Sequence, residues 1–559
     1  MLAQTDTTIG EITVFTARKI ITMTHAMPTA EAVAVADGKI VAVGTLPSLK
    51  PWLDRHAHQI DDRFADQVIM PGMIDPHVHP TLPAVVTQFP FLAPDDWSLP
   101  TGMFPGALTP SAYISRLKQL VAEHRDANVP FICWGYHPLW HGEHYRRDLS
   151  ALFPDRPVIL WHRSFHELVC NDGALAWLGL TEADVRGRAH MDWDRGHFAE
   201  TGAQTVALKL APLLFHPQRF GAGIATFIKM LHRAGVTTCL DMGVGVFGNP
   251  LGEIELIRKT ADALNAPLRI IITPTTVDFW NRKLKPIEAL AQAEAWASSN
   301  SRRVMLDRHF KLQVDGAIFS GLSQQGFPGY LDGHAGMWMA PPESLFDYAE
   351  VFWKAGYQLH AHINGDLSTD LYLDFVRRLQ DIKPRFDHRT VLEHFASTSE
   401  DQCRQMKALG LLVSANPYYV HLLSDLFGQE MLGPERAAQM VRLGSLQRLG
   451  VPFALHSDCP MAPLSPLTLA WAAATRQTIN GNIACAQERI SLEAALRAVT
   501  IDAAWLLRRE TDIGSIRAGK SADFAVLGQD PFEVGIEGLK DIPIWRTVFE
   551  GELHQVSGR

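Results

Sequence analysis

Hydrophobic and polar positions alternate along both ends of the chain. Between residues 11 and 48 the alternation runs through EITVFTARKIITM and AEAVAVADGKIVAVG, and Asp37-Gly38 supplies a hairpin turn. The closing segments SADFAVLGQD and IWRTVFEGELHQV repeat the pattern, with a turn at Glu550-Gly551. We expect the two ends to pair into one β-rich domain of residues 1–67 and 510–559. Two independent β caps would show the same alternation.

The middle of the chain has a helical period interrupted by strands. Four times a helical pattern ends at a glycine and an apolar strand begins at once; these glycines are Gly235, Gly356, Gly410 and Gly450. Glycine tolerates the left-handed conformation that closes a helix, and Ser399 with Gln402 forms a capping box. Four further strand segments complete a set of eight: 68–79, 268–275, 309–317 and 390–395. This alternation predicts parallel βαβ units and, with eight strands, a (β/α)8 barrel over residues 68–509.

A long segment separates the first two predicted strands. It spans about 155 residues, far more than one connecting helix requires, and so predicts an inserted subdomain at 81–230. An insertion after the first strand of a barrel lies over the catalytic end. Its aromatic residues suit an apolar substrate wall or the insertion's own core, and both interpretations stay open; they include Trp134, Trp140, Trp161, Trp177 and Phe165.

Composition narrows the class of partner. The 559 residues are 47% hydrophobic and 20% charged, with a net charge of −9, and no basic cluster indicates nucleic acid. No run of about 18 apolar residues predicts a membrane span. The N-terminal MLAQTDTTIG lacks the features of a signal peptide. Six cysteines without CxxC spacing are typical of reduced thiols, so we expect a cytoplasmic protein.

Polar residues recur where the predicted barrel strands end. His77 and His79 lie at i and i+2, so they share one side of a strand. The other strands contribute Lys311, His360 or His362, His394 and Asp458. Each alone is explained by a hydrogen-bonded core residue or a helix cap. Together on one barrel face they predict a site for one or two divalent ions.

Lys311 is the unusual member of this set, because an ammonium group offers a metal no lone pair. Burial lowers the pKa of a lysine, and the neutral amine then reacts with carbon dioxide. The resulting carbamate has two oxygens that bridge two ions. An unmodified Lys311 predicts a single-metal site.

Five motifs carry a resemblance to a known family. PGMIDPHVHP, KLQVDGA, HINGD, LEHF and HSDCP occur in the order found in the amidohydrolase superfamily. The chain resembles the branch that includes N-substituted formamide deformylases, nearly end to end. The resemblance implies a distorted TIM barrel, a β-sandwich built from both termini and a mononuclear or binuclear centre, with zinc as the expected metal. It also implies a homodimer.

The resemblance assigns roles residue by residue. His77 and His79 look like ligands of the more buried metal, Lys311 like a carboxylated bridge, and His362 and His394 like ligands of the second metal. Asp458 looks like the ligand that also transfers the proton.

Four further residues are expected at the substrate. Arg163 and His166 lie in RSFHELVCND, which is similar to a segment of the same branch, although an internal salt bridge or packing contact explains them as well. His360 should share the inward direction of His362 but lie behind the metal ligands. His456 departs from the pattern, because a small residue is usual at its position.

These features predict a metal-dependent hydrolase that cleaves the C–N bond of an amide, an N-substituted formamide or a cyclic amide with a metal-activated hydroxide. The expected partner is a small molecule, apolar or aromatic. Hydrolysis of an ester, lactone or carbamate is an alternative on the same site. A metal-free regulatory or scaffold relative is an alternative of another class, and metal content discriminates it.

Overall fold

The computed structural model describes residues 9–126 and 128–556. Most of the N-terminal stretch on which the absence of a leader was predicted lies outside these residues. The first described part is a set of four strands with one helix, in which β1–β2 and β2–β3 are antiparallel and β1–β4 is parallel; its elements are β1 (Ile12–Ile21), β2 (Thr29–Ala36), β3 (Lys39–Gly44), α1 (Leu46–Leu53) and β4 (His58–Pro71). Asp37 and Gly38 have positive φ, so the predicted hairpin between β2 and β3 is confirmed.

The next strand is the first strand of the predicted barrel, and the insertion follows it directly. Strand β5 (Met73–Val78) comes first. The insertion contains α2 (Thr81–Val86), β6 (Trp97–Leu99), β7 (Gly102–Phe104), α3 (Pro110–Glu123), β8 (Phe131–Tyr136), α4 (Pro138–His141), α5 (Arg146–Leu152), β9 (Val158–His162), β10 (Glu167–Cys170), α6 (Asp172–Trp177), α7 (Glu182–Val185), β11 (Met191–Asp192), β12 (His197–Ala199), α8 (Thr201–Leu214) and α9 (Pro217–Arg233). Five of its strands form one sheet in the order β11-β12-β10-β9-β8.

From residue 236 onward each parallel strand is followed by one or more helices, except that β15 leads directly to β16. These elements are β13 (Val236–Val244), α10 (Pro250–Ala263), β14 (Arg269–Pro274), α11 (Thr276–Asn281), α12 (Pro286–Trp296), β15 (Val304–Leu306), β16 (His309–Gln313), α13 (Pro342–Lys354), β17 (Gln358–Ile363), α14 (Asp366–Ile382), β18 (Val391–His394), α15 (Glu400–Leu409), β19 (Leu412–Ala415), α16 (Tyr418–Glu430), α17 (Pro434–Ala438), α18 (Leu443–Leu449), β20 (Phe453–Leu455), α19 (Pro466–Thr475), α20 (Leu492–Ala498) and α21 (Ile501–Leu506). All four predicted helix-ending glycines have φ between 68 and 84°, and the Ser399–Gln402 capping box is present.

The C-terminal part consists of β21 (Phe524–Leu527), α22 (Pro531–Gly538), β22 (Ile544–Phe549) and β23 (Glu552–Gln555). Its strands join those of the N-terminal part in one seven-stranded sheet, ordered β23-β22-β21-β4-β1-β2-β3. The two chain ends therefore pair, as expected, through β4 and β21. Arg269 on β14 fastens this sheet to the centre of the molecule, because it donates to the carboxylates of Asp523 and Glu550.

One predicted boundary is wrong. The segment 68–79 is not one strand, because residues 68–71 end β4 and pair with β1 and β21, while β5 begins at Met73. The terminal sheet therefore extends to Pro71 rather than to residue 67. Gly72 lies against the Thr237 side chain, where a Cβ would come within 2.1 Å of the Thr237 hydroxyl oxygen. Glycine permits this close crossing from one sheet to the next.

The core strands are parallel, and the α/β class is confirmed. One parallel sheet has the order β15-β14-β13-β5 and the other the order β16-β17-β18-β19-β20. A parallel bridge between Thr275 and Lys311 joins the two sheets. The main-chain N–H of Asp458 donates to the carbonyl of His77 at 3.0 Å, which brings the last strand end beside the first. Within the described residues, no helix is both long enough and apolar enough to cross a bilayer.

Candidate metal centre and cavity

His77 and Asp458 form the centre of the predicted site. His77 is completely buried, and its Nδ1 lies 2.7 Å from the Glu393 carboxylate. Its Nε2 points the other way, 3.5 Å from Oδ1 of Asp458. His79 Nε2 lies 3.2 Å from the same oxygen. The HxH pair and the last strand end therefore converge, as the sequence predicted.

The backbone at two of these residues is left-handed. His394 has φ of 75° and Asp458 has φ of 52°, which are uncommon for residues with a side chain. The turn at His394 lets it and the preceding Glu393 approach His77 together, although neighbours in a regular strand point to opposite faces. Ser457 fixes the turn at Asp458, because its hydroxyl donates to the buried Asp75 carboxylate at 2.6 Å. Such conformations are typical of functional sites.

Lys311 lies inside the cluster. Its Nζ is 3.5 Å from Nε2 of His77, and the side chain is buried. Burial lowers the pKa of Lys311 to about 8, although the charges of Glu393 and Asp458 oppose that shift. The amine is therefore placed among the predicted ligands and is easier to deprotonate than a solvated lysine.

His362 and His394 are neighbours across β17 and β18. Their ring centroids are 4.3 Å apart. Nδ1 of His394 lies 3.6 Å from Asp458, and its Nε2 is buried without a hydrogen-bond partner. Nε2 of His362 lies 3.0 Å from the side-chain nitrogen of Asn364, so this ring is already engaged.

His360 lies behind the predicted ligands and does not line the cavity, so the structure gives it no place at the substrate. Its Nδ1 lies 2.7 Å from Glu393, and its Nε2 lies 3.0 Å from Nδ1 of His309. Both ring nitrogens are thus occupied behind the predicted ligands. The sequence analysis did not identify Glu393. The feature that could have indicated it is a carboxylate within the apolar strand VLEHF. It holds two imidazoles at once, and burial raises its pKa to about 8 against the opposing charge of Lys311.

Two overlapping donor groups define where a metal fits. Ligand atoms of His77, His79 and Asp458 all lie within 4.8 Å of one another, and so do those of His77, His394 and His456. Burial lowers the pKa of the His77 and His394 imidazoles well below the ordinary value, so they are neutral. Neutral imidazoles with one carboxylate are a donor set for zinc and related ions. The orphaned Nε2 of His394 also fits a metal better than a closed hydrogen-bond network.

A cavity of about 220 Å³ opens above this cluster. Predicted ligands form its floor: His79, Lys311, His362, His394 and Asp458. Its walls are mainly apolar and come from the insertion and the strand-end loops; they include Leu82, Trp161, Phe165, Leu168, Ala203, Phe247, Ile318 and Phe319. Both interpretations of the insertion's aromatic residues thus hold in part. Trp161 and Phe165 line the cavity, whereas Trp134 and Trp140 belong to the core and Trp177 is 40% exposed.

His166 lies at the cavity, and Arg163 does not. Nδ1 of His166 is 3.0 Å from the carboxylate of Glu200, which also lines the cavity. Burial, the largest single influence, lowers the pKa of His166, but the charge and hydrogen bond of Glu200 together with the charges of Glu167 and Asp458 raise that pKa above its ordinary value. Arg163 is completely buried and donates to the main-chain carbonyls of Pro460 and Met461 at 2.8 and 3.0 Å. Its guanidinium links the insertion to the Asp458 turn. Of the two expectations for Arg163, a substrate contact and an internal contact, the structure shows the internal contact.

A larger hollow of about 830 Å³ lies elsewhere, between the insertion, α16, α19 and the C-terminal segment. Its lining includes Trp97, Arg233, Trp471 and Lys540 and none of the predicted ligands. The smaller cavity touches the donor cluster and is therefore the candidate active site.

Fold and site together define an α/β protein with a candidate metal centre at the carboxyl ends of parallel strands. Comparison with known proteins places it more narrowly. The chain belongs to the amidohydrolase family, whose sequence model matches residues 65–554.

The curated relatives cover nearly the whole chain. An N-substituted formamide deformylase from Arthrobacter pascens is 24% identical over 94% of this chain and 94% of its own length. The putative amidohydrolase YtcJ from Bacillus subtilis is 24% identical over 96% of this chain and 97% of its own. Among solved structures, an uncharacterized metal-dependent hydrolase from Pyrococcus horikoshii superposes with a TM-score of 0.70 at 19% identity, covering 97% of this chain and all of the other. The predicted resemblance is confirmed.

Proposed function

We propose that the chain is a metal-dependent hydrolase that cleaves the C–N bond of a small amide, of the N-substituted formamide or cyclic amide kind. The observation that carries the proposal is the donor group of His77, His79 and Asp458 beneath a cavity of about 220 Å³. That volume lies below the ~300–1,000 Å³ of pockets for drug-sized ligands, which favours a compact substrate. Membership of the amidohydrolase family supports the same class of reaction.

His77, His79, His394 and Asp458 are the residues that would hold the metal. When bound, a divalent ion supplies Lewis-acid chemistry, polarising a carbonyl and lowering the pKa of water. Lys311 belongs to the same cluster by position, with its Nζ 3.5 Å from His77. Carboxylation of that amine would turn a group without lone pairs into two oxygen donors and would allow a second ion.

Asp458 is the residue placed to hold and return a proton. Its carboxylate lines the cavity and contacts His77, His79 and His394 within 3.6 Å. Water that attacks a carbonyl must lose a proton, and an amide nitrogen must gain one before it leaves. A carboxylate between the ligands and the cavity serves both needs. An alcohol that leaves from an ester needs protonation less than an amine that leaves from an amide. Comparing esters with amides therefore tests this role of Asp458.

The walls of the cavity determine what enters. Trp161, Phe165 and Phe319 present aromatic surface opposite the donor cluster, which suits an apolar or aromatic substituent. The His166–Glu200 pair places one polar contact on this wall, suited to an amide N–H or carbonyl. Both residues belong to the insertion, so the insertion would set substrate choice.

We also infer that the two parallel sheets are halves of one distorted (β/α)8 barrel. The bridge from Thr275 to Lys311 and the hydrogen bond from Asp458 to His77 support closure at both seams. A β-sandwich from the termini is supported by one apolar cluster that includes Val33, Phe64 and Phe524. The contact of Ala522 N–H with the Gly38 carbonyl further supports a terminal sheet that curls on itself.

A matched substrate panel tests the proposed activity. Zinc-reconstituted protein is incubated with N-alkyl and N-benzyl formamides, the corresponding acetamides, lactams and the matching benzyl esters, and amine or alcohol release is measured. We expect turnover of at least one amide that disappears in chelator-treated protein and returns with zinc. Turnover of esters alone would favour the ester hydrolase alternative. Metal-free protein that binds no ion and hydrolyses nothing would favour the scaffold alternative.

A further inference from the structure

His456 has an unexplained buried nitrogen. It follows β20 and is completely buried. Its Nδ1 lies 2.7 Å from the Ser414 hydroxyl and 3.6 Å from the Glu393 carboxylate. Its Nε2 is buried as well and has no hydrogen-bond partner. A buried polar atom left unpaired is costly, so such an atom in a native site points to a missing ligand.

The free nitrogen belongs to a cluster of imidazoles. Ligand atoms of His77, His394 and His456 lie within 4.8 Å of one another. The ring of His456 is 4.4 Å from that of His77 and 5.2 Å from that of His394, measured between centroids. Nε2 of His394 is also buried and unpaired, and Nδ1 of His77 is taken by Glu393. Nε2 is therefore unpaired in His394 and His456, and in His77 it lies 3.5 Å from the Lys311 amine.

A substrate contact does not account for this arrangement. His79, His394 and Asp458 line the cavity, but His456 does not, because it lies behind His77. The Ser414 hydroxyl also hydrogen-bonds to Glu393, so it accepts from Nδ1 of His456 at 2.7 Å and leaves the lone pair of the ring on Nε2. The ring is thus prepared to donate a lone pair, not a hydrogen bond.

We propose that His456 is a metal ligand in this chain, completing with His77 and His394 a three-imidazole donor set on the inner side of the site. The proposal rests on the proposed metal-dependent function and adds a ligand to it. Three imidazoles suit zinc, cobalt, nickel, copper or iron, whereas magnesium and calcium prefer oxygen donors. Because Nε2 of His77 can bind only one ion, His77 would join this set to the outer group of His79 and Asp458 around a single ion, and a second ion would have to rely on the other donors.

Two isosteric substitutions separate the two nitrogens of His456. In His456→Asn the amide takes the place of Nδ1 and keeps a partner for Ser414, but nothing replaces Nε2. In His456→Gln the longer side chain brings an amide oxygen toward the position of Nε2. His421→Asn is the matched control, because His421 is a largely buried histidine on α16 whose Nδ1 contacts the Gln477 carbonyl away from the site.

The readouts are metal binding itself, measured on the full chain. Zinc affinity is obtained by competition with a chromophoric chelator, and the visible spectrum is recorded after cobalt(II) substitution. We expect His456→Asn to weaken zinc binding at least about tenfold and to change the cobalt spectrum. His456→Gln should fall between it and the native chain, and His421→Asn should match the native chain. Melting of the metal-free proteins checks folding, and if the Asn variant does not fold, the Gln variant decides.

Native zinc affinity and an unchanged cobalt spectrum in the folded His456 variants would overturn the inference and leave the proposed function standing. If the native chain itself bound neither zinc nor cobalt, the proposed function would fail together with the inference. The two failures are therefore distinguishable.

Discussion

Glu393 holds His77 from behind: one carboxylate oxygen lies 2.7 Å from Nδ1 of His77, and that contact turns Nε2 toward Asp458 and Lys311. The other oxygen lies 2.7 Å from Nδ1 of His360. A carboxylate on the far side of a ligating imidazole fixes the tautomer and the ring orientation. Glu393 thus organises the centre without lining the cavity.

Glu393→Gln should therefore weaken metal binding. The amide keeps the size of the side chain but replaces one acceptor oxygen with a donor, so it cannot accept from both His77 and His360 and holds His77 less firmly. We expect a loss of about 10- to 100-fold in zinc affinity, measured by chelator competition. Glu400→Gln, at the exposed start of α15, is the control. Equal affinities in the two variants would show that Glu393 does not position His77.

Asp458→Asn should separate metal binding from turnover. An amide oxygen still occupies the position of Oδ1, but it does not accept and return a proton at neutral pH. We expect metal to be retained while kcat/KM for an amide falls at least about 100-fold. Asp401→Asn on the exposed face of α15 should keep native turnover. Near-full activity in Asp458→Asn would remove it as the proton carrier.

Much of this centre could be predicted from the sequence, for a physical reason. Ligands on parallel strands must lie at strand ends, so motifs that follow apolar segments identify His77, His79, Lys311, His394 and Asp458. Local chain signals were equally reliable, as at the hairpin and the helix-ending glycines. These features depend on a few adjacent residues only.

Contacts between distant segments could not be predicted. Nothing near Arg163 in the sequence indicates that its partners are the carbonyls of Pro460 and Met461, almost 300 residues away. Strand alternation places Glu393 opposite His394, and only the positive φ at His394 brings both to His77. The apolar run before Gly72 likewise fits a strand of the terminal sheet or a strand of the barrel. Only its pairing with β21 shows that it belongs to the terminal sheet.

Arg163→Lys should lower kcat while leaving metal content unchanged. Lysine keeps the charge but loses the forked geometry that reaches two carbonyls at once, and the Asp458 turn should loosen. Because small displacements of catalytic groups are costly, we expect kcat to fall at least about tenfold, with a smaller change in KM. Arg186→Lys on the exposed part of the insertion is the control. Native kcat in a folded Arg163→Lys variant would mean that this clamp does not position Asp458.

The His166–Glu200 pair should make stability depend on pH in a defined window. The pKa of His166 is raised above its ordinary 6.5, so its contribution is complete below that value and is lost as pH rises through the raised pKa. The pKa of Glu200 is lowered below 4.5, chiefly by the charge of His166 against the effect of burial, so its contribution is lost as pH falls through the lowered pKa. The pair therefore stabilises most between about pH 4.5 and 6.5.

Glu200→Gln tests this window. A quarter of the His166 side chain is exposed, so the pair contributes no more than about 1 kcal/mol. We expect the melting temperature of the variant to lie below that of the native chain at pH 5.5 and to approach it at pH 9. Glu182→Gln, an exposed partner of Arg186, should show no such convergence. A native–variant difference independent of pH would contradict the ion pair.

Metal content of the native chain tests the central claim most directly. Protein purified without added metal is analysed by inductively coupled plasma mass spectrometry, before and after chelator treatment and again after zinc is restored, together with the native mass of the chain. The account predicts one or two transition-metal ions per chain that are removed and regained, with a carboxylated Lys311 where two are bound. A chain that contains no such ion and takes up no zinc would contradict it.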